Sequence, residues 1–239
     1  KDLPTALPKD LVVAAVPRRA DPRDALVTRG GLALEKLPPG TAVGTSSLRR
    51  IAQVIAARGD LRPRSLRGNV DTRLGKVASG ELPAAILASA GLQRLGRIPQ
   101  GLTALPLPLE AFVPAAGQGA LGIEARKDDR RVLALLDPLR DPGAETATRA
   151  ERALLSRLGV GCHVPLGAHA DLDGGEMTLR TFLAYPDGHG VIRVVEQGLS
   201  GRPEALADLV AGKLLAAGAR AILDFVDAAA GKATRKERT

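Results

Sequence analysis

Between residues 42 and 95 short apolar runs and helix patterns take turns, and this alternation limits the folds open to the chain more than any other feature. Ala42-Val43-Gly44 reads as the end of a strand. Thr45-Ser46-Ser47 then offers N-cap hydroxyls to a helix over about Leu48 to Arg58, which Gly59 stops. A short strand leads into Arg64-Ser65-Leu66-Arg67-Gly68-Asn69, where Asn69 can cap a helix from Val70 to Ala78. Ala84-Ala85-Ile86-Leu87-Ala88 is a further buried strand, followed by Ser89-Ala90-Gly91-Leu92 and Arg94. The pattern predicts an α/β fold with a mostly parallel sheet, in which ligands collect at the carboxyl ends of the strands.

The 239 residues suffice for two domains or three small ones. Only 2% of them are aromatic, so the cores must be built from Ala, Leu, Val and Ile. No apolar run approaches the roughly 18 residues that span a bilayer. The start, Lys1-Asp2-Leu3-Pro4-Thr5, resembles neither a signal nor a transit peptide, and there is a single cysteine. Both point to a cytoplasmic protein. His163, His169 and His189 lack metal-ligand spacing, so no zinc or iron site is expected.

The net charge of +8 is concentrated. From Gly44 to Arg97 nine arginines and Lys76 face only Asp60, Asp71 and Glu81. Such a focus predicts an anionic partner, and arginine in excess of lysine suggests bidentate recognition of carboxylate or phosphate. Arg49 and Arg50 fall in the first turn of a helix, where the dipole already supplies positive charge. They are either two solvated arginines or, with the Thr45 and Ser46 hydroxyls and free N–H groups, an anion cradle. Arg67 and Arg73 flank the next helix start in the same way.

Outside this region, Leu11 to Val16 reads as a buried strand and residues 98 to 111 as a proline-rich crossing segment. Gly117-Gln118-Gly119-Ala120-Leu121-Gly122 matches a dinucleotide fingerprint by letter. However, no clear strand precedes it and Ile123-Glu124-Ala125-Arg126 looks like strand rather than helix, so a dinucleotide site is rejected. A helix runs from about Glu145 to Leu158 and closes at Gly159. Met177 to Tyr185 and Val191 to Gln197 flank the hairpin signal Pro186-Asp187-Gly188. A single amphipathic helix is expected over Glu204 to Ala228, then a disordered charged tail from Lys232. Cys162, inside Gly159-Val160-Gly161-Cys162-His163-Val164-Pro165-Leu166-Gly167, is either a small buried hydrophobe or a covalent attachment point that glycines leave open to close approach.

Several stretches together resemble porphobilinogen deaminase, also called hydroxymethylbilane synthase. They are Lys1-Asp2-Leu3-Pro4-Thr5, Ala20-Asp21-Pro22-Arg23-Asp24-Ala25, Gly44-Thr45-Ser46-Ser47-Leu48-Arg49-Arg50, Arg64-Ser65-Leu66-Arg67-Gly68-Asn69-Val70, Ala90-Gly91-Leu92-Gln93-Arg94-Leu95, Ala116-Gly117-Gln118-Gly119-Ala120 and Gly161-Cys162-His163-Val164-Pro165-Leu166-Gly167. They occur in the family's order over nearly the whole chain.

The resemblance implies two α/β domains like those of periplasmic binding proteins, the first truncated here, and a small C-terminal α+β domain. Residues 1–17 and 112–137 would be the remnant of domain 1, 18–111 domain 2 with the arginine-rich cleft, and 138–239 the cysteine-bearing domain. It implies a monomeric enzyme that joins four porphobilinogen molecules into hydroxymethylbilane with loss of ammonia, and a dipyrromethane cofactor attached to Cys162 through a thioether. Asp2 then takes the catalytic role. Lys1, Thr45, Ser46, Arg49 and Arg50 contact the cofactor, and Arg67, Arg73 and Arg94 bind the acetate and propionate groups of the growing chain. The assignment suits the residues, because each pyrrole brings two carboxylates to the cationic stretch. Loss of ammonia leaves an electron-poor azafulvene, which a carboxylate such as Asp2 can stabilise.

One departure is that the family carries strands of domain 1 and a further cleft arginine ahead of the Lys-Asp motif. The expectation is therefore a fragment or truncated gene model, inactive or poorly folded as it stands. Two other readings stay open, a non-catalytic anion-binding module and a nucleic-acid binder. Against the second, stacking aromatics are almost absent and the arginines gather at helix starts.

Overall fold

The computed structural model describes residues 2–5, 7–161 and 163–236, the last helix by its backbone alone from residue 230. Lys1 and Cys162 lie outside the described residues. After strand β1 (Leu11–Ala15) the chain builds a five-stranded sheet from β2 (Asp24–Arg29), β3 (Ala42–Gly44), β4 (Arg62–Arg64), β5 (Ala84–Ala88) and β6 (Leu102–Pro106). Three helices connect or follow these strands: α1 (Leu48–Ala57), α2 (Val70–Ala78) and α3 (Ser89–Leu95).

Side chains alternate across each strand, so a sheet covered on both faces reads as a continuous apolar run. Leu26 of β2 and Ile86 of β5 join Val54 of α1 and Phe112 on one face. Ala25, Val27, Ala85 and Leu87 join Leu74 and Val77 of α2 on the other. The strand order is β4-β3-β5-β2-β6. Only the β3–β4 and β3–β5 pairs are parallel, whereas β2 runs antiparallel to both β5 and β6. The expected mostly parallel sheet is thus mixed, and the proline-rich crossing segment contains one of its two edge strands, β6. Pro106 is tolerated there because an edge strand needs ladder donors on one side only.

Strand β7 (Ile123–Arg126) pairs antiparallel with β1 as a two-stranded ribbon. The expectation of a buried first strand holds only at its end, since Leu11 to Ala14 are half-buried and Ala15 is buried. Helix α4 (Arg130–Leu136) follows, and then α5 (Pro142–Leu158). Helix α5 starts three residues before the expected Glu145, because Asp141 caps it by accepting from Ala144 N at 2.7 Å. It closes on Gly159 at φ 68°.

Strands β8 (Leu166–Asp173), β9 (Glu176–Leu183) and β10 (Ile192–Leu199) form an antiparallel meander. Helices α5, α6 (Pro203–Ala216) and α7 (Ala219–Lys236) share one aliphatic core with it. The single helix expected over 204–228 is therefore two, broken where Gly218 takes φ 97°. The charged tail, expected to be disordered from Lys232, stays helical in its backbone to Lys236; residues 237–239 lie outside the described residues.

The five-stranded α/β region and the C-terminal meander are pressed together. Ala52 of α1, Val113, Phe182 and Ala184 form a cluster between them. Gln53 accepts from Val113 N at 2.7 Å and donates to Val113 O at 3.1 Å. A Cβ on Gly167 would lie 2.6 Å from Val113 O, and one on Gly188 would lie 2.9 Å from Ala52 O. We predict that Gly167→Ala, which must displace main chain, lowers unfolding free energy by about 1–3 kcal/mol. In α6, Gly212 has nothing within 4 Å of an added Cβ, so Gly212→Ala raises it by about 0.5–1 kcal/mol. Chemical denaturation of the two variants beside the parent protein checks both.

Candidate active site

Ser47 caps helix α1, its hydroxyl accepting from Arg50 N, and so places Arg49 and Arg50 in the first turn after Leu48. Their side chains are not solvated, as one of the two sequence readings had them. Both turn inward, only 4% and 7% exposed, onto the fully buried Asp24 at the start of β2. Arg49 Nη1 donates to Asp24 Oδ2 at 2.6 Å and to Val113 O at 2.8 Å. Arg50 places Nε 3.0 Å and Nη2 2.8 Å from Asp24 Oδ1, and Nη1 donates to Ile86 O at 3.1 Å. Burial opposes charge on Asp24, but the two guanidiniums outweigh it and hold the carboxyl well below the usual carboxylate range. Two cations share one anion, so the cluster keeps a net positive charge. Burial lowers the pKa of Arg50; Asp24 works against that, while Arg49 and nearby Arg73 add to it.

Above this cluster lies a cleft of about 160 Å³ lined by Asp2, Ser47, Arg49, Arg50, Ala115, Ala116, Gln118, Leu155, Gly161, Val164 and Leu166. It gathers the start of the chain, the start of α1, the Gly117 turn and the residue beside Cys162. Asp2 is exposed. A larger cavity of about 350 Å³ runs past Leu3, Val13 and Leu121 to α5. Its charges are mostly neutralised, with Arg140 paired to Glu145 and Arg149 to Glu204, each at 2.7 Å, so it offers less to an anion.

The remaining expected residues have other places. Thr45 is buried and accepts from Ser47 N at 3.2 Å. Ser46 ties β3 to the next loop, accepting from Leu66 N at 2.9 Å and lying 3.1 Å from Ser65 Oγ. Both hydroxyls shape the turn, and neither lines the cleft; Ser47 does. Arg67 is exposed, Arg73 donates to Gly68 O at 2.8 Å and Arg94 to Gly119 O at 2.9 Å. Among the described residues no carboxylate lies within ion-pair distance of these three arginines. They keep their charge available, though they do not line the same cleft.

Sequence reasoning missed Asp24, Gln118 and Glu151 as supports. Gln118 donates to Pro22 O at 2.7 Å and to Asp24 Oδ1 at 3.0 Å. Its turn passes so close to the chain that a Cβ on Gly119, at φ 85°, would lie 2.5 Å from Ala20 O. The glycine pattern thus serves a tight crossing, in line with the rejected dinucleotide site. Glu151, fully buried on α5, accepts from Gly117 N at 2.6 Å, Arg19 Nη1 at 2.7 Å and Ala170 N at 2.8 Å. His169 Nε2 lies 2.8 Å from Asp171 Oδ1, and Nδ1 lies 3.3 Å from Glu151 Oε1, within reach of its charge but without hydrogen-bond alignment. Asp171 also pairs with Arg180.

Two outcomes follow from these contacts. Asp24→Asn leaves two buried arginines uncompensated and costs about 3–5 kcal/mol of stability, readable by urea unfolding. For His169, burial opposes the proton and so does Arg19, but Asp171 and Glu151 outweigh them and raise its pKa above 6.5. A raised value means the stabilisation is complete below 6.5 and lost as pH climbs through the folded value. Unfolding free energy measured from about pH 6 to 8 therefore falls for the parent protein and runs flatter for His169→Gln.

Comparison with known proteins bears on these features. The family model described as "Porphobilinogen deaminase, dipyromethane cofactor binding domain" matches residues 1–134, and "Porphobilinogen deaminase, C-terminal domain" matches residues 146–216. A porphobilinogen deaminase of Roseiflexus sp. (strain RS-1) is 50% identical over 93% of this chain and 73% of its own length. One from Thiobacillus denitrificans is 47% identical over 95% and 74%. Solved structures align loosely: an arginine-specific periplasmic binding protein of Salmonella typhimurium is 14% identical over 55% of this chain and 57% of that one, with a TM-score of 0.34.

Proposed function

The chain belongs to the porphobilinogen deaminase family, and on that footing we propose how its residues carry the reaction. The activity is that of a hydroxymethylbilane synthase, a transferase of tetrapyrrole biosynthesis that uses a dipyrromethane cofactor. The convergence of Asp2, Arg49, Arg50 and Gly161 on one cleft supports the site assignment. The cofactor's side chains are carboxylates, and the arginine pair has more positive charge than Asp24 neutralises, so the donor set fits.

In this reading Cys162, the one thiol of the chain, holds the cofactor by a thioether, and Lys1 contacts it. When bound, the dipyrromethane supplies the carbon nucleophile that extends the product. Arg49 and Arg50 bind its carboxylates, while Thr45 and Ser46 act through the turn that sets α1. Arg67, Arg73 and Arg94 bind the acetate and propionate groups of incoming porphobilinogen and of the growing chain. Asp2 is the carboxylate that accepts a pyrrole N–H, stabilises the cationic carbon left when ammonia departs and returns a proton; its place in the lining of the arginine cleft supports this role. The supporting division of the chain is 18–111 as one periplasmic-binding-protein-like domain, 1–17 with 112–137 as part of a second, and 138–239 as the domain carrying the thiol.

Intact mass tests the anchor. The parent protein incubated with porphobilinogen gains two porphobilinogen units less two ammonias, and Cys162→Ser gains nothing. An adduct that survives Cys162→Ser sinks the assignment. Asp2→Asn keeps the adduct and loses roughly 10²–10⁴-fold in turnover.

A further inference from the structure

Helix α5 reaches the stretch that carries Asp2. Arg152, half-buried on that helix, donates to three consecutive main-chain carbonyls: Nη2 to Pro4 O at 2.6 Å and Thr5 O at 3.1 Å, and Nη1 to Leu3 O at 3.4 Å. These residues directly follow Asp2. The stretch has no helix or strand of its own. Among the described residues from 2 to 7, no other hydrogen bond holds it. Leu3 adds one apolar anchor, since a Cβ on Gly122 would lie 2.7 Å from Leu3 Cδ1 and only glycine leaves that space.

The donor is itself well fixed. Its neighbour Glu151 is buried beneath the Gly117 turn, and Leu155, one turn further along, lines the Asp2 cleft. The same helix ends at Leu158, just before the Gly161 turn. Arginine suits the task because its planar fork presents five donors and can bridge neighbouring carbonyls, whereas a lysine ammonium is a single point.

We propose that Arg152 is a positioning residue for the deaminase reaction, holding the backbone of residues 3–5 so that Asp2 lies in the cleft with Arg49, Arg50 and the Gly161 turn. This rests on Asp2 being the catalytic carboxylate. One helix would then hold the Asp2 stretch and, through Leu155, a wall of the same cleft.

The test is a double-mutant cycle in the full-chain holoenzyme, with cofactor occupancy read by intact mass. Arg152→Ala is expected to lower kcat about tenfold or more, with KM for porphobilinogen within about twofold and the Cys162 adduct intact. Asp2→Glu, which keeps a carboxylate but displaces it, is expected to lower kcat as well. Adding Arg152→Ala to it costs less than about twofold more, because the two act on one group. Amide exchange over residues 2–7 rises in Arg152→Ala while that of α5 stays as in the parent. Should Arg152→Ala fail to accumulate, Arg152→Lys shows the same pattern at smaller amplitude. Parent-like kcat in both Arg152 variants, or a full loss added to that of Asp2→Glu, overturns the positioning role and leaves Asp2 standing. Parent-like turnover in Asp2→Asn removes Asp2 as the catalytic group, and this inference with it.

Discussion

Asp24 is the carboxylate on which the arginine-rich half is arranged. Taking two guanidiniums out of water is expensive, and only a partner with good geometry makes it tolerable. Asp24 meets Arg49 and Arg50 at the first residue of β2, so it fixes the start of α1 against the sheet. Gln118 ties the Gly117 turn to the same oxygen, and Glu151 ties that turn to α5. Each link is a buried acceptor with its donors supplied, which is how polar groups persist inside a protein. The cationic cleft is therefore a by-product of a neutralisation left incomplete by one charge.

How much of this was legible in the sequence varies with the range of the interaction concerned. Local signals worked: the caps at Ser47 and Asn69, the glycine stop at Gly159 and the hairpin around Asp187-Gly188 all appear where chain-local chemistry puts them. The family motifs marked Asp2, Arg49 and Arg50, which the structure brings to one cleft, while Lys1 and Cys162 fall outside the described residues. Strand direction was not legible, because an apolar run looks the same whether β2 lies parallel or antiparallel to β5. Strand β6 hid behind Pro99, Pro106 and Pro108, since edge position is a property of the finished sheet. The break at Gly218 was hidden by apolar spacing that continues through it. Asp24 carries no local signal of its own, and its burial depends on arginines 25 and 26 residues away.

The distribution of charge also separates two kinds of arginine. Arg19, Arg49 and Arg50 are used up in part by the protein's own carboxylates and hold the architecture. Arg67, Arg73 and Arg94 bond at most to main-chain carbonyls among the described residues and leave their charge to solvent or ligand. A polyanionic product needs both: a rigid seat at one end and uncommitted cations along its path.

The glycine contacts at Gly167 and Gly188 have a mechanical consequence. At these two points main chain lies directly on main chain, Gly167 against Val113 and Gly188 against Ala52 of α1, so the joint has no side-chain layer there on which to slide. The end of α5 at Leu158 and the arginine-bearing start of α1 face one cleft across this joint. A ligand that lengthens in that cleft would have to make room by folding on itself, because these two walls are locked to each other through main chain.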